Sequence, residues 1–241
     1  MSLHPLDTDL VESYVAALNA DTISIEHPLL AEPWSAHVVQ TARRGYRRAQ
    51  AGDETGTHAV TYGLAQLLAE RYPTFFQEGL SLTTWEARFD RGAGIMLRPP
   101  SRLFIEAGLE VGASRRMPIR LDANLSMMGG AFIPARLVPQ LETRLMTHLD
   151  RIVRRLVEAE LDGVAVMGLM LDAVRYAREQ RLGLYEAEDL LVPGEPGSVP
   201  PGARIIYANR KQIDPALRKR LEHAAQPPKK PGLLTRLRGK G

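Results

Sequence analysis

Apolar residues recur every three or four positions in three stretches of the first 72 residues, and a loop with Pro28 and Pro33 separates the first stretch from the second. This spacing predicts a helix over residues 9–19, a second over 34–50 and a third over 57–72. In the second helix the apolar side is formed by Val38, Ala42, Tyr46 and Ala49. Proline at position 73 should end the third helix, because proline disfavours a helical conformation in the preceding residue. The N-terminal part is therefore expected to be helical.

The pattern changes at residue 83, where apolar side chains begin to alternate with charged ones. The alternation over residues 83–90 predicts a half-buried strand, and Ile95 to Arg98 can return antiparallel after two glycines. Met117 to Asp122 alternates in the same way and predicts a further strand. A lone hairpin is not stable by itself, so we expect a small, mostly antiparallel sheet of three or more strands with one solvated face.

Two long helices are predicted after this sheet. The first begins near Pro134 or Pro139, and its packing seam is the series Leu145, Leu149, Ile152 and Leu156. The second runs from Val164 to about Gln180 and is apolar nearly all round in its first half. The short Asp-Gly break between them indicates an antiparallel helical hairpin that covers the sheet.

Proline and glycine mark the C-terminal organisation. Seven of the ten residues from Pro193 to Gly202 are proline or glycine, and Pro227 to Gly232 is a second such segment. Between them, residues 204–208 fit an edge strand, and Asp214 with Pro215 begins a helix. This arm should pack on its own body or on a neighbouring subunit. The predicted organisation is a globular domain at 1–192, a linker at 193–202, a strand-helix arm at 203–225 and a disordered basic tail at 226–241.

These elements together predict the fold class. We expect a helix-rich α+β protein with N-terminal helices, a small mostly antiparallel sheet, a long α-helical hairpin and a flexible basic C-terminal tail.

Charge is distributed unevenly along the 241 residues. Residues 1–210 carry 22 arginines against 26 acidic residues, a net charge of −4, and no lysine. The last 31 residues carry nine basic residues against two acidic ones, a net charge of +7, and hold every lysine of the chain. An anionic partner is therefore expected first at the C-terminal tail.

Several classes of function lack their sequence signals. Without cysteine there is no disulfide, thiol nucleophile or thiolate metal site, which fits a cytoplasmic protein. No uncharged stretch reaches the length that spans a bilayer, and early acidic residues do not fit a signal peptide. No two of the six histidines are three or four positions apart, so we predict no metal site, and no cofactor motif is present.

One arginine cluster stands out in the second predicted helix, residues 34–50, which we number α2. We call it the α2 arginine group: Arg43, Arg44, Arg47 and Arg48. These residues cover one side of the second predicted helix and could bind a phosphorylated ligand or nucleic acid. A solvated helix face is the simpler interpretation, because cations are also favourable near a helix C-terminus. The backbone amides at Met128 to Gly130 are a weaker candidate for anion binding, and loop flexibility is the preferred explanation of these glycines.

The tail combines cations with leucines at helical spacing: Lys229, Lys230, Leu233, Leu234, Arg236, Leu237, Arg238 and Lys240. Free in water so short a segment should be disordered. On an anionic membrane, its five cations would each contribute about 1 kcal/mol, which predicts weak and reversible attachment. Contact with nucleic acid, with the acidic body or with nothing at all are the alternatives.

Three functions follow from these features. The first hypothesis is a cytoplasmic interaction or scaffold protein that is oligomeric or binds a protein partner through the hairpin or the arm. Its tail would contact an anionic surface, which could place the protein at the periphery of the membrane. The second is an enzyme or sensor for a small phosphorylated or carboxylate metabolite, although no local catalytic signature is present. The third is a nucleic-acid-binding protein.

Overall fold

The computed structural model describes residues 1–20, 29, 32–118, 128–187 and 200–226. Helices predominate in these residues and are combined with one small sheet of five strands. The predicted helix-rich α+β class is confirmed. Within the described ranges, no helix is long and apolar enough to cross a membrane.

The sheet joins strands from both ends of the chain in the order β3-β4-β1-β2-β5. The strands are β1 (Ser2–Leu6), β2 (Thr74–Phe76), β3 (Gly129–Ile133), β4 (Gly183–Ala187) and β5 (Ile205–Tyr207). Three neighbouring pairs are antiparallel and the pair β2 with β5 is parallel, so the sheet is mostly antiparallel as predicted. β1 is central, and its His4 lies opposite Tyr185 of β4.

Ten α-helical segments accompany the sheet in the described residues. They are α1 (Thr8–Asn19), α2 (Pro33–Gln50), α3 (Gly56–Arg71), α4 (Leu82–Thr84), α5 (Pro100–Glu106), α6 (Val111–Ser114), α7 (Val138–Thr147), α8 (Leu149–Glu158), α9 (Gly163–Glu179) and α10 (Pro215–Ala225). The three N-terminal helices lie within one or two residues of the predicted bounds.

Both faces of the sheet are buried, which corrects the predicted solvated face. Strand alternation directs Leu3, Phe75 and Leu184 into a core with α7, α8, α9 and α10. It directs Leu6 and Tyr185 into a second core with α1, α2 and α3. Every residue of β1, β3 and β4 is buried as a result.

The predicted hairpin over residues 83–98 is wrong. A π-helical turn, Trp85–Phe89, follows α4 directly, and a 3₁₀ turn occupies Arg91–Ile95. Trp85 and Phe89 are buried four positions apart with ring centroids 5.8 Å from each other, so their spacing fits a helical turn as well as it fits a strand. Arg98 alone pairs with the sheet, through an isolated bridge to Phe132. Most of the strand predicted at 117–122 lies outside the described residues.

The loop predicted at Met128 to Gly130 is also wrong, because Gly129 begins β3. Its N–H donates to Thr61 Oγ1 at 3.1 Å, and Met128 is buried. A Cβ at position 129 would lie 1.9 Å from the Tyr185 hydroxyl oxygen, so glycine allows the close approach of strand and tyrosine. These amides belong to the sheet and not to an anion-binding loop.

The first long helix of the prediction is interrupted at His148, which separates α7 from α8. The predicted seam of Leu145, Leu149, Ile152 and Leu156 is nevertheless fully buried across this break. α9 packs against both α7 and α8 and crosses three strands of the sheet, because it is apolar on most of its surface.

The arm predicted after the proline-rich segment packs on its own chain. β5 pairs with β2, and α10 packs against α8 and α9. Ile213 fits against Gly168 of α9, where a Cβ would lie 2.4 Å from the isoleucine Cδ1. Arg210 forms an ion pair of 2.8 Å with Asp162, the N-cap of α9.

Candidate functional site

A polar cleft of about 430 Å³ lies between the segment that replaces the predicted hairpin and α8. We call it the basic cleft, and its lining is Ala87, Arg88, Phe89, Arg91, Arg155, Glu158 and Ala159. The two sides come from sequence positions that are more than 60 residues apart, so tertiary packing creates the cleft.

The wall formed by residues 81–90 is held by a cap and by two buried aromatic rings. The Thr84 N–H donates to Ser81 Oγ at 2.9 Å at the start of α4. The Asp90 N–H donates to the Trp85 carbonyl at 3.0 Å and closes the π-helical turn. Trp85 and Phe89 are buried in the core. The exposed residues of the same segment, Ala87, Arg88 and Arg91, line the cleft.

Asp90 connects the two walls. Its side chain is completely buried, and it accepts from Arg144 Nε at 2.7 Å and from Arg144 Nη2 at 2.6 Å. Arg151 Nη2 of α8 donates to the same carboxylate at 3.1 Å. A bidentate arginine-carboxylate pair fixes both orientation and distance, so the turn and the helices α7 and α8 are held in register.

Gly92 allows this pair to form. A Cβ at position 92 would lie 1.9 Å from Arg144 Nη2, which means that the guanidinium rests directly on the glycine backbone. A larger residue at this position would meet the guanidinium, so Arg144 or the backbone at position 92 would have to shift.

Three arginines of the cleft have no acidic partner among the described residues: Arg88, Arg91 and Arg155. The Arg88 guanidinium lies 5.5 Å from the centroid of the Phe89 ring. Arg155 Nη1 donates to the Phe89 carbonyl at 3.1 Å, which uses one of its five donors. Glu158 is the one acidic residue of the described lining, so the three arginines leave the lining with an excess of two positive charges.

This arrangement is suited to holding an anion. Arginine presents a planar fork of donors that matches carboxylate and phosphate oxygens. Asp90 cannot neutralise the three lining arginines, because Arg144 and Arg151 already occupy it. The described lining contains no histidine.

The α2 arginine group is placed differently. Arg43 is partly buried and donates to the Ala20 carbonyl. Arg48 pairs with Asp53 at 2.6 Å, and Arg44 Nη2 donates to Thr41 Oγ1 at 3.1 Å. Arg47 is exposed. None of the four contributes to the described lining of the basic cleft.

The tail residues from Lys229 to Lys240 lie outside the described residues, and their predicted contact with an anionic surface stays a prediction. In the described ranges, no group of three or more metal-binding side chains is close enough to hold a metal ion.

A strongly shifted titratable group lies away from the cleft. His4 is buried in β1, and burial, with a smaller contribution from the N-terminal charge, lowers its pKa to about 3. Its Nδ1 lies 3.1 Å from Thr74 Oγ1. The imidazole is therefore neutral at physiological pH and serves the packing of the sheet.

Comparison of the chain with protein-family models, curated proteins and solved structures finds no match.

Sequence reasoning does not find the basic cleft. Arg88 lies within residues 83–90, which the sequence predicts as a strand, and Arg91 directly follows them. Arg155 lies on a predicted helix whose outer face carries ion pairs between neighbouring residues. One local signal exists: in the series Arg88, Phe89, Asp90 and Arg91, a buried aromatic residue and an acid stand between two arginines.

Proposed function

We propose that this protein binds a small anionic ligand of the phosphorylated or carboxylate class in the basic cleft. The hydrogen-bond donors are the guanidinium groups of Arg88, Arg91 and Arg155. The ion pairs of Asp90 with Arg144 and Arg151 hold the segment that carries Arg88 and Arg91. One observation supports this most directly. Both carboxylate oxygens of the buried Asp90 accept hydrogen bonds from Arg144 and Arg151, so Asp90 does not pair with the three arginines of the lining.

Size and charge both favour a small molecule. The cleft of about 430 Å³ lies within the range of ligand pockets, roughly 300–1,000 Å³. Each hydrogen bond between an arginine and an anionic oxygen contributes about 1.5–3 kcal/mol, so loss of one arginine should weaken binding at least about tenfold.

The interaction and scaffold hypothesis stays a prediction. A helical or arm interface would use a contiguous apolar patch. The large apolar side chains that are exposed in the described residues are Ile95, Val111, Val157 and Tyr207, and they lie on four different elements. This distribution gives the interaction hypothesis less support than the arginines give to anion binding.

The test is a titration of the full chain with inorganic pyrophosphate, citrate and ATP, followed by calorimetry and by the shift of thermal unfolding. A ligand at one hundred times its dissociation constant should stabilise the chain by about 2.7 kcal/mol. The double variant Arg88→Gln, Arg91→Gln should lose this stabilisation. The matched control is Arg44→Gln, Arg47→Gln, which removes the same charge from the α2 arginine group and should bind as the parent does.

Two results would contradict the proposal. Loss of binding in the control pair with retention in the Arg88 and Arg91 pair would move the site to α2. Absence of stabilisation by all three anions would reject an anion site in the cleft. Binding of a duplex oligonucleotide that falls steeply with salt and depends on Arg88 and Arg91 would instead support the nucleic-acid hypothesis.

A further inference from the structure

A larger groove, of about 720 Å³, lies between α9, β5 and the turn that follows β5. We call it the α9–β5 groove, and its lining is Phe75, Asp172, Arg175, Tyr176, Glu179, Arg204, Ile205, Ile206, Tyr207, Asn209 and Gln212. Its described lining has no residue in common with the described lining of the basic cleft.

One wall is a single stripe of α9. Asp172, Arg175, Tyr176 and Glu179 are spaced by three and four positions, which places them on one face of the helix. The other residues of this part of α9 are buried in the core: Leu171, Ala173, Val174 and Ala177. The second half of α9 therefore faces the groove with this one stripe.

Asp172 is the unmatched charge of this wall. It is half-buried and has no hydrogen bond or ion pair with a described residue. Burial raises the pKa of its carboxyl group, and Arg175 opposes this shift. Arg175 itself pairs with Glu142 at 3.3 Å, and Glu142 also binds Arg178. The carboxylate therefore offers its oxygens to a donor from outside the chain.

The opposite wall carries a complementary charge. Arg204 precedes β5, and its position is held because its carbonyl accepts from the Thr74 N–H at 2.9 Å. Its guanidinium is exposed and has no partner among the described residues. The groove thus presents one unmatched carboxylate on α9 and one unmatched guanidinium beside β5.

Aromatic rings also line the groove. Phe75 and Tyr176 lie with their ring centroids 6.1 Å apart, and Tyr207 packs against Phe76 at 5.8 Å. Such rings favour an apolar or aromatic group and also attract an ammonium group to their faces.

We propose that the α9–β5 groove binds a zwitterion of the α-amino-acid class. Its ammonium group pairs with Asp172, its carboxylate with Arg204, and its side chain packs on Phe75 and Tyr176. The four charged side chains of the lining, two acidic and two basic, sum to zero, so a ligand with one charge of each sign is matched better than a simple anion or cation.

The test uses L-phenylalanine with two derivatives that each lack one charge. N-acetyl-L-phenylalanine has no ammonium group, and L-phenylalaninamide has no carboxylate. Chemical shifts of the backbone amides should place L-phenylalanine at α9 and β5, and calorimetry should show each derivative to bind at least about tenfold more weakly.

Single variants assign the two charges. Asp172→Asn should weaken L-phenylalanine binding about tenfold or more and should abolish its preference over the N-acetyl derivative. Arg204→Gln should abolish its preference over the amide. A purely structural role would change overall affinity and leave these preferences intact. Both side chains are partly exposed, so both variants should fold, which urea unfolding can verify.

The controls are Arg88→Gln and Glu158→Gln in the basic cleft, and both should bind L-phenylalanine as the parent does. Failure of L-phenylalanine and of L-leucine to shift any amide of the groove at millimolar concentration overturns the proposal. Equal binding of all three phenylalanine compounds also overturns it. Neither result affects anion binding in the basic cleft, because the described linings of the two sites are separate.

Discussion

The α2 arginine group and the arginines of the basic cleft have the same chemistry and opposite surroundings. In α2, four arginines are close in sequence, and the structure gives Arg43 a backbone carbonyl and Arg48 an aspartate. In the basic cleft, Arg88 and Arg91 come from one segment and Arg155 from α8, more than 60 positions away, and all three line the same space.

The difference shows that a dense run of arginines is a weak indicator of a binding site. A helix places such residues side by side, but solvent and nearby acceptors can satisfy each of them separately. A site for an anion needs cations that converge on one space and lack other partners. Buried support for the wall that carries them, here Asp90, provides this convergence.

The largest expected effect comes from removing that support. Asp90→Asn leaves Arg144 and Arg151 without their carboxylate and should reduce the free energy of unfolding by roughly 3 kcal/mol, the lower end for a broken buried pair, because both arginines retain some exposure. The matched change Asp53→Asn removes the exposed partner of Arg48 and should have a much smaller effect. Urea unfolding measures both, and equal losses would refute the contrast between the two sites.

Gly92→Ala should reduce the free energy of unfolding by less than Asp90→Asn does. The added methyl group meets the Arg144 guanidinium, and overpacking of this kind costs about 1–3 kcal/mol. Pyrophosphate binding should weaken as well, because the wall with Arg88 and Arg91 shifts. In an Arg144→Ala background, the same glycine change should have little further effect on unfolding, since the clash is gone. If Gly92→Ala destabilised the Arg144→Ala variant as much as the parent, the methyl group would be clashing with a residue other than Arg144.

The smallest effect concerns the pKa of Asp53 beside α2. The Thr55 hydroxyl, then Arg48, lower the pKa of this carboxyl below 3.8 through hydrogen bonds. Because the folded pKa is the lower one, the stabilisation is complete above the unfolded pKa and is lost as the pH falls through the folded pKa. Thr55→Ala should raise the folded pKa towards 3.8, as measured by an NMR titration of the carboxyl carbon. An unchanged pKa would mean that Arg48 alone holds the shift.

Strands were the elements that sequence patterns predicted least well. β1 and β4 lie in the middle of the sheet with both faces covered, so their residues show no alternation between apolar and polar side chains. His4 in β1 and Glu186 in β4 are fully buried, which is the reverse of what a half-solvated strand would show. The converse error arose at Trp85 and Phe89, because a four-residue spacing satisfies both a strand and a helical turn.

Local sequence signals are sufficient to predict the helices whose ends carry a cap or a proline. α10 begins at Pro215 after the Asp214 cap, and α3 ends before Pro73, because capping and helical periodicity act over only a few residues. The sequence also determined the distribution of charge, with every lysine near the C-terminus. Which charged side chains form ion pairs depends on the tertiary structure. Asp90 binds arginines 54 and 61 positions away, and pairing over such distances depends on how the core packs and not on any local pattern.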